Sequence, residues 1–156
     1  LAINLQVNTK TIERYLDLLE KTFVIFRLKS LSRNLRKEIT KKEKIYFYDL
    51  GVRNSLISNF NSLDLRDDRG ALWENFCIIE RLKYCQRKKI IANIYFWRTH
   101  AQQEIDYIEE YAGKLHAYEF KWKSTKYKIP QSFLDAYKNT EFLLVTREKG
   151  LEFLLG

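Results

Sequence analysis

The amino-acid sequence predicts an α+β chain in two parts: a helix with a two-stranded hairpin, then a core of order αβββαβ. Three observations carry this. Apolar residues recur at helical spacing over residues 7–21 and 71–86. Short runs rich in β-branched and aromatic residues, bounded by turn residues, account for most of the rest. A polar stretch over residues 59–70 separates the two parts. The expected organisation is therefore a first domain over 1–60, a linker over 61–70 and a second domain over 71–156.

In the first part, Ile12, Tyr15, Leu16 and Leu19 form one apolar stripe. Asn8 or Thr9 can cap that helix by accepting a free backbone N–H. Residues 23–28 and 44–48 read as strands joined by a long basic connection, and residues 49–56 exit into a short helix. A helix followed by such a hairpin is the second half of a winged helix, whose hairpin lies on phosphates. In the second part, a helix presents Leu72, Phe76, Ile79, Leu82 and Cys85. Residues 93–98, 104–108 and 115–123 form an antiparallel meander, with a turn over 111–114 between the last two strands. Pro130 suits the first turn of a helix that directs Phe133, Leu134 and Tyr137 to the sheet. Residues 142–145 then return as a parallel strand. Residues 151–155 are expected as a last edge strand.

With 156 residues, 46% hydrophobic and 31% charged, the chain can bury its own core. No run approaches the roughly 20 apolar residues a membrane helix needs. The N-terminus has neither the basic stretch nor the cleavage site of a signal peptide, so a cytoplasmic location is expected. The sequence contains no Met, which predicts a piece of a longer chain. Cys77 and Cys85 share one helix, about 12 Å apart along its axis. That exceeds the roughly 7 Å a disulfide spans, so both are expected as free thiols.

Net charge is +8 and unevenly placed. Between Arg27 and Lys44 stand eight basic residues against two acidic ones. A basic face favours polyanions, so DNA is the expected partner, with Arg33, Arg36, Lys37, Lys41, Lys42 and Lys44 as candidate phosphate contacts. A solvated basic loop is the alternative.

The residues with chemical potential lie in the meander. In Tyr118-Glu119-Phe120-Lys121-Trp122 the aromatics take one face of the strand, and Glu119 and Lys121 the other. On the preceding strand, strict alternation turns Asp106 the same way as Glu104 and Ile108. The hairpin sets Asp106 across from Glu119. Two carboxylates on adjacent strands can share a hard cation, Mg²⁺ or Mn²⁺, beside which Lys121 can activate water. Cross-strand salt bridges on a surface hairpin are the alternative. His100 falls in a turn and His116 on a strand face.

Glu119-Phe120-Lys121 resembles the E-x-K of the PD-(D/E)XK nuclease superfamily, with Asp106 at the place of its metal-binding Asp and Glu74 at that of a further helical acid. A more extended resemblance covers most of the chain. Tyr15-Leu16-Asp17-Leu18-Leu19-Glu20, Lys44-Ile45-Tyr46-Phe47-Tyr48-Asp49-Leu50-Gly51-Val52-Arg53-Asn54, Gly70-Ala71-Leu72-Trp73-Glu74-Asn75, and Phe96-Trp97-Arg98-Thr99 with Glu104-Ile105-Asp106-Tyr107 are similar to the C-terminal region of prokaryotic AAA-type P-loop ATPases. That resemblance implies a partial winged helix, then a restriction-endonuclease-like αβββαβ core, with an ATPase domain preceding both as partner. No G-x-x-x-x-G-K-[ST] occurs, so no ATP site of that type is expected here.

The expected function is a nucleic-acid-associated module with a Mg-dependent phosphodiester-hydrolysing site. Asp106 and Glu119 would hold the metal, Glu74 would complete its shell, and Lys121 would activate the nucleophile. The alternative is a non-catalytic DNA-binding or protein-interaction module of the same ATPase.

Overall fold

The computed structural model describes residues 8–33, 42–123 and 127–155. Helix α1 (Thr9–Lys21) begins at Asn8, whose side chain accepts the Lys10 N–H at 2.9 Å. Its acidic side is gathered by one cation on the next strand, β1 (Ile25–Ser30). There the Arg27 guanidinium meets Asp17 and Glu20 at 2.6 Å and Glu13 at 3.3 Å. The apolar stripe is only partly covered: Ile12 and Leu16 are half-buried, whereas Tyr15 and Leu19 are exposed. Strand β2 (Glu43–Phe47) pairs antiparallel with β1, and α2 (Leu50–Leu56) follows, capped by Asp49 accepting the Val52 N–H.

Helix α3 (Arg69–Arg87) leads into β3 (Asn93–Arg98), β4 (Glu104–Tyr111) and β5 (Lys114–Lys121). Ala112 and Gly113 both take positive φ, 51° and 74°, the left-handed pair that a two-residue hairpin turn requires. Helix α4 (Gln131–Ala136) crosses over to β6 (Thr140–Thr146), parallel to β5. Residues 151–155, expected as an edge strand, instead belong to helix α5 (Gly150–Leu155). Its Phe153 packs against Tyr118 and Phe120, and a run of four apolar residues in five serves a helix as well as a strand.

All the strands among the described residues join one six-stranded mixed sheet, in the order β2-β1-β3-β4-β5-β6. The hairpin of the first part thus continues the sheet of the second: β1 runs parallel to β3, and the Leu31 N–H donates to the Phe96 carbonyl at 2.7 Å. The segment expected as a linker is pinned as well. Arg66, 3% exposed, bonds Asp68, Asn54 and the Asn59 carbonyl, and Arg53 reaches Asp68 at 2.8 Å. One core lies under α3 and α5, built on Trp73, Cys77, Ile78, Phe96, Tyr107 and Phe120. The other lies under α4, with Trp97, Ile105, Ile108, Leu115 and Phe133. Helix α3 buries more than the expected stripe: Trp73, Asn75, Cys77, Ile78 and Arg81 go inside. Cys77 and Cys85 are buried free thiols. No helix among the described residues is long and apolar enough to cross a membrane.

Candidate functional site

The site forms where β4 and β5 part. Their ladder runs from the turn to Tyr107 opposite Tyr118 and stops, while β5 stays paired to β6 as far as Lys121. Past Tyr118, β5 therefore has backbone donors with no strand to receive them. The Phe120 N–H goes to a side chain, Asp106 Oδ2, at 3.0 Å.

On its other edge β4 carries a bulge. Tyr95 faces Ile108 and Trp97 faces Ile105, so Asp106 and Tyr107 together stand opposite Phe96. The extra residue breaks the alternation. Ile105 and Ile108 both enter the α4-side core, and Tyr107 enters the α3-side core. Asp106 thus does not share the direction of Ile108, as strict alternation required; its carboxylate meets groups from β2 on the α3 side of the sheet.

Each of those groups is placed by local structure. In Trp73-Glu74-Asn75, Trp73 enters the core and Asn75 clamps β2, its amide bonding the Phe47 carbonyl at 2.9 Å and the Phe47 N–H at 3.1 Å. Glu74 between them is held toward β2, where its Oε1 accepts from the Tyr46 hydroxyl at 2.6 Å and from Lys44 Nζ at 3.0 Å. Lys44 and Tyr46 alternate on β2 and so share a face. The same Lys44 ammonium lies 3.3 Å from Asp106 Oδ1 and also pairs with Glu104. Glu104 is joined in turn by Arg98 at 3.3 Å. Glu119 is buried, its Oε1 accepting from Lys121 Nζ at 2.6 Å, while among the described residues its Oε2 has no hydrogen-bond partner. A cleft of about 550 Å³ opens beside it, lined by Gln103, Glu104, Glu119 and Tyr127.

The electrostatics follow from burial and crowding. Burial, reinforced by the neighbouring Glu74 charge, pushes the Asp106 carboxyl up to about 7, although Lys44 opposes the shift. Burial also raises Glu119, against the pull of its Lys121 hydrogen bond. For Lys44, burial works against the charge, but Glu74, Asp106 and Glu104 outweigh it and hold the ammonium above the ordinary lysine range. For Lys121 burial again works against the charge, but its bond to Glu119 together with the Glu119, Asp106 and Glu74 charges outweighs it and raises the ammonium.

Of the expected site, Glu74 and Asp106 meet around Lys44, and Glu119 with Lys121 forms an adjoining pair whose charges reach Asp106 and Lys44. Three members were not foreseen: Lys44 in this role, Tyr46 and Glu104. Their signal was positional, since Lys44 and Tyr46 stand two apart on one strand, as do Glu104 and Asp106. Lys44, expected on phosphate, faces carboxylates instead. Arg33 pairs with Glu110, and its guanidinium lies over the Tyr137 ring. Lys42 is exposed, and Arg36, Lys37 and Lys41 lie outside the described residues. His100 is exposed in its turn; His116 stacks on Tyr111 and meets Glu141 at 3.3 Å.

A divalent ion is the group the acids would suit by chemistry, being all oxygen donors. Their arrangement does not suit it. Among the described residues no three acids, imidazoles or thiolates are disposed to hold a metal together, and the Lys44 ammonium stands between Glu74, Glu104 and Asp106.

Sheet, bulge and acid–lysine centre define a mixed α/β module whose chemistry gathers at one end of a single sheet. The chain belongs to the family described as Domain of unknown function (DUF4143), matched over residues 69–154, which occurs in the C-terminal region of AAA-ATPase-like proteins. Residues 1–63 match a second Domain of unknown function (DUF8612). The chain is 33% identical over 128 residues to an uncharacterized protein of Mycobacterium tuberculosis, and equally to one of Mycobacterium bovis. Those matches cover 80% of this chain and 28% of each relative. No solved structure matches the chain.

Proposed function

We propose that this chain is the C-terminal module of a P-loop ATPase and that its acid–lysine centre is of the nuclease type, directed at phosphodiesters of DNA. One observation supports this above the others: Glu74 from α3, Asp106 from β4, and Glu119 with Lys121 from β5 gather where the sheet opens. Packing does not require them there, and burying carboxylates is costly. In this reading Lys121, 38% exposed at the mouth, meets negative charge developing on a phosphate, and Glu119 orients it. Asp106, with its pKa near 7, takes up a proton near neutral pH. The test is cleavage of linear duplex DNA by the full ATPase chain. Lys121→Ala is expected to lower the rate by about 10²–10³, the usual loss for one such contact. Equal trace cleavage by wild type and Lys121→Ala would sink the reading.

A second reading, a non-catalytic interaction module of the same ATPase, is favoured by the closure of the centre on itself through Lys44. It predicts no cleavage by any variant. If DNA is the partner, affinity should fall with salt at about −0.9 in log K per phosphate contacted.

A further inference from the structure

We propose that the apolar cleft between α3, the 3₁₀ turn Leu63–Leu65 and the end of β5 docks an acidic peptide segment of a partner protein. One bulky apolar side chain enters the cleft, and the carboxylates beside it meet Arg69, Lys123 and Arg147. The inference goes beyond the acid centre and does not depend on its chemistry.

The cleft has a volume of about 330 Å³, at the small end of the roughly 300–1,000 Å³ of ligand sites, which suits one or two side chains. Its walls are Leu50, Leu63, Leu72, Trp73, Phe76 and Trp122. Leu72 and Trp73 stand four and three residues before Phe76 on α3, so all three turn to one side of the helix. Trp73 stacks on Phe76 with ring centroids 5.7 Å apart and meets Trp122 edge-on at 6.0 Å, so the aromatic walls brace one another. The mouth is held as well. The Arg66 N–H donates to the Leu63 carbonyl at 3.3 Å, and the buried Arg66 guanidinium ties the turn to Asn54, Asn59 and Asp68. Leu63 is nevertheless 43% exposed and Leu65 77%. A segment fixed in place while it turns large apolar side chains to water is prepared for a partner, because a preorganised surface loses less entropy on binding.

Charge selects the occupant. A second cleft, of about 440 Å³, adjoins the first at Trp122 and Arg147, which line both. It sets Arg69, Lys123 and Arg147 beside Asp64 and Glu148. Among the described residues none of these three cations forms an ion pair, and the Arg147 guanidinium lies over the Trp122 ring, 5.1 Å from its centroid. A segment that carries an apolar side chain next to carboxylates matches both clefts at once, and the net charge of +8 favours its approach. A nucleobase matches the first cleft poorly. Its polar edge would be buried against six apolar side chains with Arg147 alone to bond it.

The experiment selects peptides from a random phage-displayed library on the whole 156-residue chain, then measures binding of the enriched peptide, labelled with fluorescein, by anisotropy. Enriched sequences are expected to place Leu, Phe or Trp next to Asp or Glu. Leu63→Glu, which puts a charge at the mouth, and Arg147→Glu, which reverses one at the rim, should each weaken binding about tenfold or more, about 1.4 kcal/mol per tenfold. Lys10→Glu makes the same charge change as Arg147→Glu on exposed α1 surface and should leave affinity unchanged. Affinity should fall with salt in wild type and fall less in Arg147→Glu. Circular dichroism checks the fold of each variant; should Leu63→Glu not fold, Leu63→Ser takes its place. No enriched sequence, enriched peptides that lack either the apolar or the acidic residue, or binding that survives both substitutions overturns the proposal. So does a DNA oligonucleotide that displaces the peptide and is itself lost in Leu63→Glu, which would assign the cleft to nucleic acid, or self-association of the chain abolished by the same substitution, which would assign it to a second copy.

Discussion

Replacing Asp106 by Asn probes the centre through its pH dependence. The carboxyl titrates at about 7 in the folded chain, chiefly because it is buried and secondly because Glu74 stands near it. Unfolded, it titrates at about 3.9. A folded pKa above the unfolded one means that the native state holds the proton more tightly. The associated stability is fully present below about pH 4 and is lost as pH rises through 7. For these two values, the loss between pH 5 and pH 8.5 comes to about 2–3 kcal/mol. The amide that replaces the carboxyl in Asp106→Asn carries no such proton. Glu119 shifts in the same direction, but it is present in both proteins and cancels in their difference, apart from its coupling to Asp106. Asp106→Asn should therefore gain about 2–3 kcal/mol on wild type between pH 5 and pH 8.5, whatever the offset at pH 5. Urea unfolding of both proteins at four pH values, followed by circular dichroism, gives the difference directly. A stability difference that stays flat, or that moves against the variant as pH rises, would refute the reasoning. Asp106 would then be ionised throughout by Lys44, with burial the lesser influence.

Three further outcomes follow from the packing. Arg81 grips Glu109 through two hydrogen bonds of 2.8 and 2.9 Å, and Glu109 is 0% exposed; Arg81→Met should cost about 3–5 kcal/mol in urea unfolding, the cost of stranding a buried charge. Asn75→Ala removes both bonds to Phe47 and should cost about 2–3 kcal/mol, with faster hydrogen exchange along β2. A Cβ at Gly150 would lie 2.7 Å from the Trp73 ring, so Gly150→Ala should lower stability by about 1–3 kcal/mol and shift the Trp73 fluorescence.

Much of this fold was legible because local pattern and tertiary role agree. The αβββαβ order, the turn at Ala112-Gly113 and the Asn8 cap each follow from residues whose preference is settled within a few positions. The failures are equally physical. Residues 151–155 carry a short apolar run that fits a strand or a buried helix alike, and the neighbours Tyr118 and Phe120 decide between them. The direction of Asp106 was read by strict alternation, which a bulge cancels, and nothing between Glu104 and Ile108 announces one. Lys44 was read with its basic neighbours, because charge clustering is visible in a sequence whereas the carboxylates it meets stand 30 and 62 positions away.

Those separations bear on how the two parts should be regarded. The two family matches divide the chain between residues 63 and 69, near the polar stretch. The sheet does not divide there. Strand β1 supplies the neighbour of β3, and β2 supplies both the cation and the hydroxyl that hold Glu74. A fragment beginning at residue 69 would keep Glu74, Asp106, Glu119 and Lys121 but lose Lys44 and Tyr46. It would also bare the β3 edge, including the Phe96 carbonyl that now receives the Leu31 N–H. Open strand edges recruit other chains. Such a fragment is expected to self-associate in gel filtration, whereas one that begins before α1 and keeps the hairpin is expected to stay monomeric at the same concentration. Monomeric behaviour of the 69–156 fragment would mean that the hairpin is an appendage of the sheet. Self-association would tie the acid centre and the hairpin into one unit, since β1 and β2 then both complete the sheet and hold Glu74 in place.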